Sequence, residues 1–100
     1  MGVNQTITCP NGVPSWPVVR DRLAAAGFPA QMRMFDGQLA FPYEEPPPDW
    51  RELRIGTPDG MVTVRREGDG VTVVTWGNAD AAMQRAWHAV AAAFAEAGTA

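Results

Sequence analysis

WRELRIGTPDGMVTVRREGDGVTVVTWGNADAAMQRAWHAVAAAFAEAG, residues 50–98, encodes three short strands followed by a long, alanine-rich helix. Thr57-Pro58-Asp59-Gly60 is turn chemistry, with proline pre-set for the second position and glycine for the last. A turn there sets Gly56 opposite Met61, Ile55 opposite Val62 and Leu53 opposite Val64. The next break, Glu67-Gly68-Asp69-Gly70, offers a two-residue turn at Gly68-Asp69 or at Asp69-Gly70. The first choice places Val64 opposite Val73; the second slides the strand by two residues and keeps the same face inward. Leu53, Ile55, Val62, Val64, Val71 and Val73 therefore form one face, which reads as core. Glu52, Arg54, Met61, Thr63, Arg65, Thr72, Val74 and Trp76 form the other. A one-residue slip would exchange the two faces, so the first loop length decides the architecture.

Gly77 ends the last strand, and Asn78 is predicted as the helix N-cap, with Asp80 near the positive helix end. The helix is expected over residues 79–97, with Gly98 as its stop. Met83, Trp87, Val90, Phe94 and Ala97 recur at helical spacing and make one apolar stripe. Gln84, Arg85, His88, Ala92 and Glu96 fall on its back. The main packing event is this stripe buried against the valine face.

Upstream, Val3, Gln5, Ile7 and Cys9 alternate with Asn4, Thr6 and Thr8, the pattern of a half-buried strand. Ser15 is placed to cap a helix that begins Trp16-Pro17, with Trp16, Val19, Leu23 and Ala26 as its buried stripe. Gly27 ends it, and Phe28 can fold back on the last turn. Asp36-Gly37 is a strong type I′ hairpin signal that pairs Phe35 with Gln38, Met34 with Leu39 and Met32 with Phe41. On that register Met32, Met34, Leu39 and Phe41 point inward, leaving Gln31, Arg33, Phe35 and Ala40 outward.

Residues 42–49 include three consecutive prolines, which favour a stiff extended segment and cannot donate to a ladder. Neither side of this segment has enough residues for its own core. It reads as a rigid strap inside one domain spanning 1–100. The predicted fold class is α+β: a mainly antiparallel sheet of about six short strands, in the order β-α-β-β-β-β-β-α, with two helices packed on one face in two layers. In element order alone this resembles a helix-grip or TATA-box-protein-like arrangement of a curved sheet against helices, a likeness that implies a shape and no activity.

Composition narrows the function classes. One hundred residues, 46% hydrophobic and 19% charged, suit one soluble domain. No apolar run reaches the roughly 20 residues of a membrane span, and residues 1–9 lack the pattern of a signal peptide. A single cysteine, Cys9, excludes an internal disulfide and fits a reducing cytoplasm. The formal charge of -3 and a pI near 4.9 argue against a nucleic-acid partner. One Cys and one His cannot make a zinc tetrahedron, so no metal or other cofactor is expected. Cys9 precedes a proline at a strand end and His88 sits on a polar helix face, a poor start for a nucleophile pair. Glu44, Glu45 and Asp49 on the strap read as a solubilising run rather than paired catalytic carboxylates. Gly68-Asp69-Gly70 has neither a following helix nor a lysine, so it is no phosphate loop. No catalytic constellation emerges, and the chain is expected to be a non-enzyme.

Binding is the remaining class. The second sheet face would collect Arg33 and Phe35 from the hairpin with Arg54, Met61, Thr63, Arg65, Val74 and Trp76 from the three later strands. Antiparallel sheets often leave such a face solvated, but Trp, Met, Phe and Arg are the types enriched at protein interfaces. The expected activity is association with a protein partner, or with itself as a homodimer, through this face, with no membrane involvement. Tyr43 and Trp50, flanking the strap, form a second patch whose simpler reading is anchorage of the strap. A competing reading is a small apolar-ligand pocket between the C-terminal helix and the sheet, softly lined by Met32, Met34 and Met83.

Overall fold

The computed structural model describes residues 5–9, 12–41, 43–47, 49–68, 70–75 and 79–99. Their order is β1 (Gln5–Thr8), α1 (Trp16–Ala25), β2 (Gln31–Phe35), β3 (Gln38–Leu39), β4 (Glu52–Thr57), β5 (Gly60–Glu67), β6 (Gly70–Val74) and α2 (Ala81–Thr99). The six strands make one antiparallel sheet in the spatial order β1-β6-β5-β4-β2-β3. Strands β4, β5 and β6 are a meander. The β2–β3 hairpin joins it through β2, so that β3 becomes an edge, and β1 closes the opposite side.

The meander register is the one its turns dictate. Leu53 lies opposite Val64, Ile55 opposite Val62 and Gly56 opposite Met61. Val64 lies opposite Val73 and Glu67 opposite Gly70, the register of the first of the two turn choices; Asp69 lies outside the described residues. Because directly opposed residues share a face, the valines point one way together. Leu53, Ile55, Val62, Val64, Val71 and Val73 are all fully buried. They join Met83, Trp87, Val90 and Phe94 of α2 and Trp16, Val19 and Leu23 of α1 in a single core. α2 lies against β1, β5, β6 and α1, and Arg22 and Glu96 bridge the two helices at 3.5 Å. No helix among the described residues is long and apolar enough to cross a membrane.

The helix ends differ from expectation in four places. Ser15 occupies the N-cap position of α1 with extended backbone but makes no side-chain cap bond. Pro17 lies two residues on and has no N–H to offer, which removes one of the two amides a cap would engage. At α2 the Asp80 carboxylate accepts the Met83 N–H at 2.8 Å, so Asp80 is the cap and the helix starts at Ala81; Asn78 lies outside the described residues. The helix continues to Thr99 rather than stopping at Gly98. Ala26, expected in the buried stripe of α1, is exposed because it is already the C-cap. That end closes as expected. Gly27 takes a left-handed φ of 86°, and the Gly27 and Phe28 amides donate back to Ala24 and Leu23, a Schellman closure.

The hairpin departs furthest from its sequence pattern. Met32 pairs with Ile55, but Met34 pairs with Arg54, so Arg33 is an extra residue in β2. One inserted residue exchanges the faces of everything beyond it. Phe35 therefore lies opposite Leu53 on the core side, half-buried, and not on the open face where the alternation put it. Met34 and its partner Leu39 turn to the open face instead. Leu39 is 85% and Phe41 62% exposed, which corrects their expected inward placement; Met32 alone of that set is buried.

Candidate interaction surface

The open face has a polar part and an apolar part. In the polar part, Glu52 meets Arg65 at 3.2 Å and Arg54 at 3.7 Å. The Thr72 hydroxyl donates to Glu67 at 3.0 Å and lies 3.4 Å from the Thr6 hydroxyl, which leaves Thr72 nearly fully covered. Val74, opposite Thr63, is half-buried beside them. Paired charges and hydrogen-bonded hydroxyls of this kind make a stable solvated surface.

The apolar part lies towards the hairpin edge. The Asp36-Gly37 turn has φ of 53° and 81°, the left-handed pair of a type I′ turn. Asp36 Oδ1 accepts the Arg51 N–H at 2.7 Å and the Glu52 N–H at 3.0 Å, which locks the hairpin tip to the start of β4. From this fixed tip β3 runs along the sheet edge with Leu39 outward. Beyond it, Phe41 stacks on Tyr43 with ring centroids 5.6 Å apart and planes 6° from parallel. Met61, on β5, is 46% exposed.

A groove of about 750 Å³ crosses the strands here, lined by Arg33, Met34, Leu39, Phe41, Gly56 and Met61 among others. Gly56 makes its floor. Arg33 lies over that floor, and no carboxylate among the described residues pairs with its guanidinium. An apolar trough with one unpaired cation at its side is suited to an apolar side chain accompanied by an acceptor or an acid.

Of the residues expected at this surface, Arg33, Arg54, Met61 and Arg65 are exposed on the open face. Only Arg33 and Met61 line the groove; Arg54 and Arg65 belong to the ion-paired part. Phe35 is on the other face, and Trp76 lies outside the described residues. Met34, Leu39 and Phe41 line the groove without having been foreseen. The signal for them was Gly56, since a glycine inside a strand often marks a bulge or a close approach by a neighbour.

The second patch separates into its two members. Trp50 is 2% exposed, edge-on to Phe94 at 6.2 Å and covered by the Arg66 guanidinium at 4.4 Å. It anchors the end of the strap to the core. Tyr43 is 78% exposed and belongs with Phe41. Met32, Met83, Trp87, Val90 and Phe94 are buried in the core layer shared by the sheet and the two helices. The concavities at the hairpin, at the strap and beside Pro58 all lie outside that layer.

Cys9 is buried and His88 is exposed on the back of α2. No group of three or more His, Cys, Asp or Glu side chains among the described residues is arranged to hold a metal ion. No protein-family model matches the chain, and no curated protein or solved structure is significantly similar to it.

Proposed function

We propose that this chain is a small, non-catalytic protein-interaction module that binds a protein partner or a second copy of itself through the open sheet face. The contact is centred on the groove between β3 and Met61. One observation carries the reading: Leu39, Phe41 and Met61 are large apolar side chains left exposed that line one groove, and the exposed Tyr43 stacks on Phe41 beside it. Single exposed apolar residues are ordinary, whereas a contiguous group beside a polar rim is what interfaces present. The neighbouring Glu52, Arg54 and Arg65 supply that rim.

A photo-crosslinking amino acid at Met61, with a control at Ala92 on the solvent side of α2, tests the reading in cells. Crosslinks are expected from Met61 and not from Ala92. The captured protein, once purified, is expected to bind the native chain and to lose binding to Met61→Glu. Equal crosslinking from both positions, or unchanged binding to Met61→Glu, would reject the surface.

A further inference from the structure

Two departures from strand regularity meet at the groove floor. Arg33 is the extra residue of β2, between the Met32–Ile55 and Met34–Arg54 pairs, and a bulge of this kind re-aims a side chain. Gly56 faces Met61 on the open side of the sheet. The atoms that a side chain at position 56 would meet first all belong to Arg33, and the Gly56 backbone is not left-handed. Neither a turn nor a close backbone approach therefore requires glycine there, although glycine inside a strand costs stability. Its effect is to leave a trough between Leu39 and Met61 with the Arg33 side chain across the bottom.

We infer that this groove takes a short segment of a partner protein in which a large apolar side chain stands next to an aspartate or glutamate. The inference rests on the interaction reading above and names the chemistry of the partner. The apolar side chain lies between Leu39 and Met61, and the carboxylate pairs with Arg33. Charge argues for the acid. Arg54 and Arg65, on the same face, share Glu52, whereas Arg33 has no carboxylate partner among the described residues. Its planar guanidinium matches a carboxylate with two parallel hydrogen bonds. The apolar side chains of Met34, Leu39, Phe41 and Met61 around it make such a pair stronger than one in open water.

Size and shape argue for a segment. At about 750 Å³ the groove is as large as a small-ligand site, so a few side chains fill it and the face of a whole domain is not needed. Sites for free small molecules enclose most of their ligand. This trough is open to solvent and continues past Phe41 onto the stacked Tyr43 ring, which suits a chain that runs on beyond its anchor. Met34 and Met61 adapt to apolar side chains of different shape. The acid, rather than the identity of its apolar neighbour, is therefore the selective element.

Random heptapeptides displayed on phage and selected on the whole chain test this, with enriched sequences remade as fluorescent peptides for anisotropy titration. Enrichment is expected for Asp or Glu beside Leu, Phe or Met. Arg33→Gln should weaken these peptides on the order of tenfold, and Met61→Glu should abolish binding. Arg51→Gln, at an exposed arginine outside the groove, should leave the affinity unchanged. Arg33→Glu should reverse the preference, so that peptides with lysine in place of the acid bind that variant better than the originals do. All three positions are exposed, and thermal midpoints check that the variants stay folded. Peptides lost in Met61→Glu but indifferent to both Arg33 variants would overturn the acidic chemistry and leave the interaction surface standing. Equal weakening by Arg51→Gln would overturn the role of Arg33 in favour of overall charge. A selection that enriches no peptide sensitive to Met61→Glu would overturn the short segment, while crosslinking at Met61 still decides whether the face is a contact.

Discussion

Arg33 lies directly over Gly56: a Cβ added to that glycine would sit 2.7 Å from Arg33 Nε and 3.2 Å from its Cγ. The obstructing atoms belong to a flexible side chain, and Gly56 does not have the left-handed backbone that only glycine tolerates. Gly56→Val is therefore expected to displace Arg33, fill the groove floor and leave the sheet intact. Replacing glycine inside a strand also removes a penalty, so stability should hold or rise by up to about 1 kcal/mol. A chemical-denaturation curve checks the first half. Partner binding in the same variant checks the second, and a stable variant that still binds would place the contact elsewhere.

Asp36 is expected to matter more than a surface turn residue usually does. It holds a φ of 53° and accepts two amides from the start of β4. Asp36→Ala loses both, and bonds to a charged acceptor are worth roughly 1.5–3 kcal/mol each at most. A loss of about 2–3 kcal/mol is expected overall. Asp36→Asn keeps an acceptor and tolerates the left-handed backbone, so it should lose less than half as much. Urea titration of the two variants separates the turn geometry from the carboxylate.

The same hairpin marks where the sequence stops being legible. The meander could be aligned residue by residue because each turn is two residues long and each strand alternates cleanly. Val62, Val64, Val71 and Val73 cannot all be buried on any other parity. The hairpin turn is equally plain, and its pairing of Phe35 with Gln38 and Met34 with Leu39 holds. What the pattern does not contain is the extra residue at Arg33, because a bulge forms between β2 and β4, strands far apart in the chain. Local alternation therefore assigned Phe35 and Leu39 to the wrong faces, and the groove beside β3 was half hidden. Trp50 shows the reverse. A lone tryptophan after three prolines has no periodicity to read, yet tertiary packing against Phe94 and Arg66 makes it part of the core.

The two helix starts make opposite predictions from similar cap chemistry. The Asp80 carboxylate bonds the Met83 amide at 2.8 Å, so Asp80→Ala should cost about 1 kcal/mol. Ser15 makes no side-chain cap bond, and Ser15→Ala should stay within about 0.5 kcal/mol of the parent. Thermal midpoints of the two single variants provide the comparison. A large loss at Ser15 would mean that its hydroxyl holds the helix start in a way the observed geometry lacks.

Trp50 and Arg66 share one contact and should not be equivalent. Trp50 is fully enclosed, so Trp50→Ala leaves a cavity against Phe94 and is expected to cost about 3–5 kcal/mol. Arg66 lies over the ring with its buried Nε lacking a hydrogen-bond partner. Its stabilising part is the cation–π contact, roughly 0.5–2 kcal/mol, partly offset by that unsatisfied donor. Arg66→Met keeps a chain over the indole and removes the orphaned N–H, so its cost should fall below 1.5 kcal/mol, in the range of conservative swaps. The strap also hangs from this residue, since the Trp50 amide donates to Pro47 at 3.1 Å. Limited proteolysis should therefore cut residues 43–49 faster in Trp50→Ala than in Arg66→Met when both are compared at matched global stability. Equal cutting would mean that the strap is held by its own stiffness, and that Trp50 serves the core alone.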